Sequence, residues 1–353
     1  MKSKKGGINS NTILLLITIV LFCVLYAGGC IAYGYKGFTH LQTFLNILIT
    51  NAGLICVACG MTLVMLTAGI DISVGALVAL DCMMLAVGMR SGIGAIPMML
   101  IVLAVGIGFG SLQGFLVGYL QIQPFIVSMA GMFFCRGMTA VISTEQVSIT
   151  ESINKLFYDL ANMKIVIPFG GYANKKGMIM QPYIRITVVI ALIVLIVSFL
   201  MLRYIKLGRN IYALGGNQQS ALMLGINVKR TRFMSYVISG LLSGIAGFVF
   251  LMHKPTGNAS VAMRSEMDAI AASIIGGTLL TGGVGNVIGT FFGTMILATI
   301  QKIIGMSKLN DSWWQDMASG ALLGVFILLQ SVILSARDKA KAKKAGAVSI
   351  AKG

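Results

Sequence analysis

The chain has 353 residues, 57% of them hydrophobic and only 10% charged, with a mean hydropathy of +0.91 and a formal net charge of +17. Soluble domains carry about 25% charged residues, and the longest stretch that is not apolar, residues 144–182, is shorter than the roughly 50 residues of a small domain. A soluble enzyme is therefore excluded, and the positive charge belongs with membrane loops that collect Lys and Arg on the cytoplasmic side, not with nucleic acid.

Residues 1–11, with Lys2, Lys4 and Lys5, form a basic cytoplasmic start. The apolar run that follows passes through "LYAGGC" (25–30), which has the look of a lipoprotein signal ending at Cys30. The run continues past that cysteine, so 12–33 is a first membrane helix rather than a cleaved leader. A helix needs about 20 apolar residues to cross a hydrocarbon core of about 30 Å. By that measure further spans fall at 47–68, 74–90, 94–117, 124–143, 183–203, 233–253, 267–280, 283–303 and 315–335. The expected fold is all-α and polytopic, about ten transmembrane helices over 12–335, with both termini inside the cell. Fifteen of the 27 basic residues then fall on the inner side, in 1–5, 203–232 and 337–352. The basic tail 336–353 is a solvated end that also touches anionic lipid.

The six cysteines (Cys23, Cys30, Cys56, Cys59, Cys82, Cys135) all lie in apolar runs. "CVAC" at 56–59 has redox or metal spacing but no His or further Cys beside it, so these are packing residues. His40 and His253 sit at span ends without metal-ligand neighbours, and no catalytic constellation emerges. Trp313 and Trp314 suit an interfacial aromatic belt.

After the second span, "LTAGIDISVGALVAL" (66–80) places Asp71 and Ser73 between Gly69 and Gly75. A carboxylate at bilayer depth is expensive unless satisfied. Asp71 reads as a cap near the cytoplasmic face for the helix that starts after it, with a gating role open beside that. Asp81 lies about 10 Å further along that helix, and Arg136 in the fifth span is a candidate partner. A second irregular segment, "GGTLLTGGVGNVIG" (276–289), lies in the other half of the chain. Gly-interrupted segments at corresponding places in two halves point to a translocation path, and small residues also serve close helix packing. Ahead of it, "SEMD" (265–268) gives Asp268 capping-box spacing from Ser265.

The inner loop 204–232 contains "GGNQQSALMLGI". Asn217 is placed as an N-cap, Gln218 to Leu224 are mostly helix formers, and Gly225 stands where a helix-ending glycine belongs. Ala221, Leu222, Met223 and Leu224 are too apolar for a water-facing loop, so a short docking helix for a soluble partner is expected. No GxxxxGK[ST] phosphate loop occurs in the chain, so nucleotide energy would have to arrive through a partner.

The loop "GRNIYALGGNQQSALMLGINVKR" (208–230) resembles the coupling loop of permease subunits in sugar-importing ATP-binding-cassette transporters of the ribose and galactoside group. "GIDISVG" (69–75) and "MDAIAASIIGGTLLTGGVGNVIGT" (267–290) resemble that group's other signatures, and "AGMFFCRG" (130–137) with "DSWW" (311–314) is similar to the galactofuranose-type permeases. The resemblance implies a second permease copy or paralogue, a cytoplasmic ATPase that carries the ATP-Mg, and an extracytoplasmic sugar-binding protein, in a bacterial plasma (inner) membrane. It implies no cofactor on this chain. Gly215, Gly216, Asn217, Ser220, Ala221, Leu224 and Gly225 fall in the coupling loop, although the group often has Ala at Ser220 and Ser at Leu224. Gly69, Asp71, Ser73, Gly75, Asp268, Gly276, Gly282, Gly283 and Gly285 fall in the other signatures, and Asp81 and Arg136 join them as gate candidates. The alternatives are an ion-coupled carrier acting alone, for which Asp81 is the available coupling acid, and a permease for nucleosides or branched-chain amino acids.

Overall fold

The computed structural model describes residues 10–173, 179–307, 311 and 313–328. The tail 336–353 and the first nine residues of the basic start lie outside them. Thirteen α-helices occur among the described residues: α1 (Ser10–Tyr33), α2 (Leu41–Leu66), α3 (Val74–Arg90), α4 (Ala95–Gly118), α5 (Pro124–Ile142), α6 (Lys155–Asn162), α7 (Ile186–Tyr204), α8 (Lys206–Gly216), α9 (Gln218–Met223), α10 (Val228–His253), α11 (Ser265–Ile275), α12 (Val287–Met306) and α13 (313–328). Three two-stranded antiparallel pairs lie at one end of the bundle. They are β1 (Val147–Ser148) with β6 (Thr256–Gly257), β2 (Lys164–Val166) with β5 (Tyr183–Arg185), and β3 (Tyr172–Ala173) with β4 (Ile179–Met180). Helices α8 and α9 mark the opposite end.

Every predicted span contains a helix, and among the described residues seven are long and apolar enough to cross a membrane: residues Leu14–Lys36 and helices α2, α4, α5, α7, α10 and α12. At 1.5 Å per residue, α3 reaches about 25 Å and α11 about 16 Å. Helices α3 and α11 are the short ones because the chain breaks at Gly and Ser in front of α3 and on both sides of α11, and the last expected span, 315–335, runs beyond the described residues.

Helix α2 is the axis of the bundle, buried along 89% of its most apolar window. It packs against α7, α10, α11 and α12. Between α4 and α10 the backbones touch. Gly106, Gly110, Gly114 and Gly118 repeat every four residues, so they share one face. A Cβ on Gly110 would lie 2.5 Å from Tyr236 O, and on Gly114 or Gly118 2.7 Å from Phe233 O or Lys229 O. Lipid is as apolar as leucine, so such close backbone packing, rather than water exclusion, drives helix association here. Hydroxyls tie the α2, α11 and α12 interface: Thr62 Oγ1 lies 2.7 Å from Thr290 Oγ1 and 3.2 Å from Ser273 Oγ. Thr18 of α1 donates to Ile275 O at 2.9 Å, satisfying a carbonyl at the end of α11.

Candidate functional site

The three glycine-rich segments singled out in the sequence meet at one point. Helix α2 stops at Leu66, and its next turn carries Ala68 at φ 59. Gly283 donates its N–H to Leu66 O at 3.0 Å. Gly283 has φ 73, a left-handed conformation that glycine adopts without penalty. A Cβ at Gly283 would lie 2.5 Å from Gly216 N, and a Cβ at Gly215 would overlap both Leu66 O and Gly283 N. A side chain on Gly282 would come within 2.8 Å of Ala68 N. Tyr212 of α8 adds a clasp, donating to Gly285 O at 2.9 Å. Burial pushes its phenol up to about 12, so it remains a donor throughout the physiological range. The end of α8, the turn before α12 and the end of α2 are thus one backbone-to-backbone junction.

Loop 204–232 holds two helices rather than the single one expected. Leu207, Ile211 and Leu214 lie at helical spacing, and Ile211 and Leu214 are buried. Helix α9 follows directly, its N-cap Asn217 accepting from Ser220 N at 2.8 Å, with Gly225 at φ 75 after it. Ala221 turns inward and is 1% exposed, while Leu222, Met223 and Leu224 are 54%, 91% and 77% exposed. The apolar face open to a partner is therefore 222–224.

The turn 67–73 climbs back into the bundle instead of lying at its face. Tyr236, about two turns into α10, donates to Ile70 O at 3.3 Å and approaches Gly69. Asp71 is 3% exposed at that depth, deeper than its sequence position suggests. Nor is it a helix cap: its Oδ1 accepts from Ser73 N at 3.0 Å and Ser73 Oγ at 2.6 Å, an Asx turn that satisfies the acid locally. Gln113 of α4, which sequence reasoning missed, donates to Ser73 Oγ at 2.8 Å. A polar side chain within an apolar span was the available signal.

Helix α3 thus begins inside the bundle, and so does α11. Gly75 faces the first turn of α11, where a Cβ would overlap Glu266 Oε2 and lie 2.8 Å from Ser265 Oγ. The segment 258–264 descends from the strand end to reach this level, with Ala262 and Arg264 at φ 52 and φ 72. Non-glycine residues in that region are strained and cluster at functional sites. Arg136 holds the segment, donating to Ala259 O at 2.9 Å and Val261 O at 3.1 Å, with Ala262 O at 3.5 Å. Irregular backbone at membrane depth survives only where protein satisfies it, and this guanidinium does so. It does not pair with Asp81, whose carboxylate is 0% exposed and has no hydrogen-bond partner among the described residues. Asp81 lies against Gly247 of α10.

The capping box at Ser265 does not form: Arg264 precedes α11 without a side-chain cap, and Ser265 Oγ donates to Ala262 O at 2.7 Å. Arg264 pairs instead with Asp316 of α13. Asp268, half-buried, lines a cavity with Thr50 and Asn51 of α2. No group of three or more His, Cys, Asp or Glu able to hold a metal occurs among the described residues.

Residues 43–328 match the family described as "Branched-chain amino acid transport system / permease component". The chain is 38% identical to the inner membrane ABC transporter permease protein YjfF of Escherichia coli K12 over 319 residues, 90% of this chain and 91% of that protein. It is 31% identical to the fructose import permease protein FruG of Bifidobacterium longum, over 95% of this chain and 96% of that one. It is 32% identical to the ribose import permease protein RbsC of Escherichia coli K12, over 83% and 86%. No solved structure matches the chain.

Proposed function

The chain belongs to the branched-chain amino acid transport system / permease component family, and on that premise we propose that it is the membrane subunit of an ATP-driven importer of a monosaccharide. The relatives named for ribose and fructose import favour a sugar as cargo, and a furanose such as galactofuranose is the narrower reading. A cytoplasmic ATPase grips α9, a second copy or paralogue completes the path, and an extracytoplasmic sugar-binding protein docks on the strand end. Both termini then face the cytoplasm of a bacterial cell, and ATP-Mg is held by the ATPase rather than by this chain.

The observation that carries this reading is the shared junction of Gly215, Gly283 and Leu66. A displacement of α9 is passed by backbone contact to the turns in front of α3 and α12. Packed elements of this kind switch as rigid bodies, so closure of the ATPase pair would tilt the broken helices and change which side is open. In this role Gly69, Asp71, Ser73 and Gly75 form one wall of the gate. Arg136, Asp268, Gly282, Gly283 and Gly285 form the other.

The experiment is reconstitution in liposomes with and without the ATPase and the binding protein. ATP-dependent sugar accumulation is expected. Accumulation driven by an ion gradient without the ATPase would overturn the reading and favour a carrier. The family description also names branched-chain amino acids, so leucine belongs in the same assay. ATP-driven leucine uptake without sugar uptake would replace the cargo and leave the mechanism standing.

A further inference from the structure

Helix α2 is almost wholly enclosed, yet one side of its strand-end half is polar and open. Asn46, Thr50 and Asn51 line it, and Thr50 is exposed within the bundle. Three adjoining cavities share Thr50, with volumes of ≈ 240, ≈ 350 and ≈ 260 Å³. Sites for small ligands run to about 300–1,000 Å³. The first cavity continues to Gln301 and Lys302 of α12, the second to Phe250 and Asn258, and the third to Phe250 and Asp268. Thr50 lies about 14 Å along α2 from its strand end at Leu41, and the cavity beside it reaches Ser265, where α11 begins. The cleft therefore runs from the strand end to the level at which the broken helices start.

Its hydrogen-bonding groups are mixed. Asn46 Oδ1 is occupied by Gln42 Nε2 at 2.8 Å, which leaves the Asn46 amide as a donor. Asn51 Nδ2 is occupied by Ile47 O at 2.9 Å, which leaves Oδ1 as an acceptor. Asn258 Oδ1 takes Ser260 N at 2.9 Å and keeps its amide for donation. Asp268 accepts, and the Thr50 hydroxyl does both. The ring of Phe250 supplies a flat apolar wall and lies so close to α2 that a Cβ on Gly53 would overlap it. Alternating donors and acceptors beside one flat apolar face match a sugar ring, whose hydroxyls donate and accept and whose C–H face is apolar. A branched aliphatic side chain in this cleft would strand the same polar groups, and that mismatch is a strong source of discrimination.

We propose that this cleft is a weak sugar-hydroxyl site on the translocation path, so that the permease itself selects cargo through Thr50, Asn51 and Asp268. The proposal rests on the importer reading above. Its test uses the full transporter in liposomes, offered labelled ribose, fructose, galactose and leucine, with sugar moved per ATP hydrolysed as the readout. Thr50→Val and Asn51→Leu each remove one hydrogen-bonding group and are expected to lower that ratio about tenfold for the sugar, one bond's worth. Thr50→Ser is expected to restore it, which a purely packing role for the side chain would not produce. An unchanged ratio in Thr50→Val and Asn51→Leu, or a loss that Thr50→Ser does not rescue, overturns the site while the importer reading stands. If the wild-type transporter accumulates none of the three sugars with ATP, the cargo reading fails, and the site falls with it.

Discussion

Gly215 and Gly216 are neighbours in sequence and opposites in space, and the pair gives a sharp test of the junction. A Cβ on Gly215 would overlap Leu66 O and Gly283 N, whereas a Cβ on Gly216 meets nothing within 4 Å. The overlap at Gly215 is with backbone on two other segments, so no rotamer change relieves it. Overpacking of this kind costs about 1–3 kcal/mol. Forcing Gly283 away also breaks its bond to Leu66 O, worth about 1 kcal/mol. Gly215→Ala is therefore expected to weaken the junction by about 2–4 kcal/mol. Gly216→Ala, in the last turn of a helix with open space beside it, is expected to be neutral or to gain up to about 1 kcal/mol from lower unfolded-chain entropy. The assay is thermal unfolding of each purified variant together with ATP-driven uptake in liposomes. Gly215→Ala should lose uptake by at least about 30-fold, the equivalent of 2 kcal/mol, and Gly216→Ala should match the wild type. Equal behaviour of the two variants would refute the claim that α8 is coupled to the gate through this contact.

Three further outcomes are expected. Met223→Asp alters the most exposed apolar position of α9, so it should abolish co-purification of the ATPase while leaving the unfolding temperature of the isolated permease unchanged. Arg136→Lys keeps the charge but loses the planar fork that spans several carbonyls, and limited proteolysis should then cut within 258–264 where the wild type resists. Asp81→Leu replaces a buried carboxylate that has no hydrogen-bond partner among the described residues by an apolar group, and should raise thermal stability by about 1–3 kcal/mol; a fall would refute this.

The helices were legible because apolar run length is a direct consequence of bilayer thickness, and each of the ten runs holds a helix. Where they begin was not. The sequence puts Asp71 at the inner face because a helix ends just before it, yet the chain turns back for several residues before α3 starts. Nothing in apolar run length distinguishes a loop that leaves the bundle from one that returns into it. The coupling loop gave up α9 through Asn217 and Gly225, whose capping roles are local. It concealed α8, whose apolar spacing at Leu207, Ile211 and Leu214 is short and interrupted by Gly208 and Arg209. Asp81 and Arg136 share a region of the bundle, but hydrogen-bond partners across helices depend on rotation about each axis, which residue spacing alone does not set. The stripe Gly106, Gly110, Gly114, Gly118 was readable from its period of four and shows why small residues in such chains must be counted by face.

Arg136 grips oxygens that every residue type carries. The side chains of residues 259–261 could therefore be rewritten, one after another, without weakening their tether. In a lineage adapting to new nutrients, the chemistry displayed at the mouth could diverge freely while the mechanical anchorage stayed put.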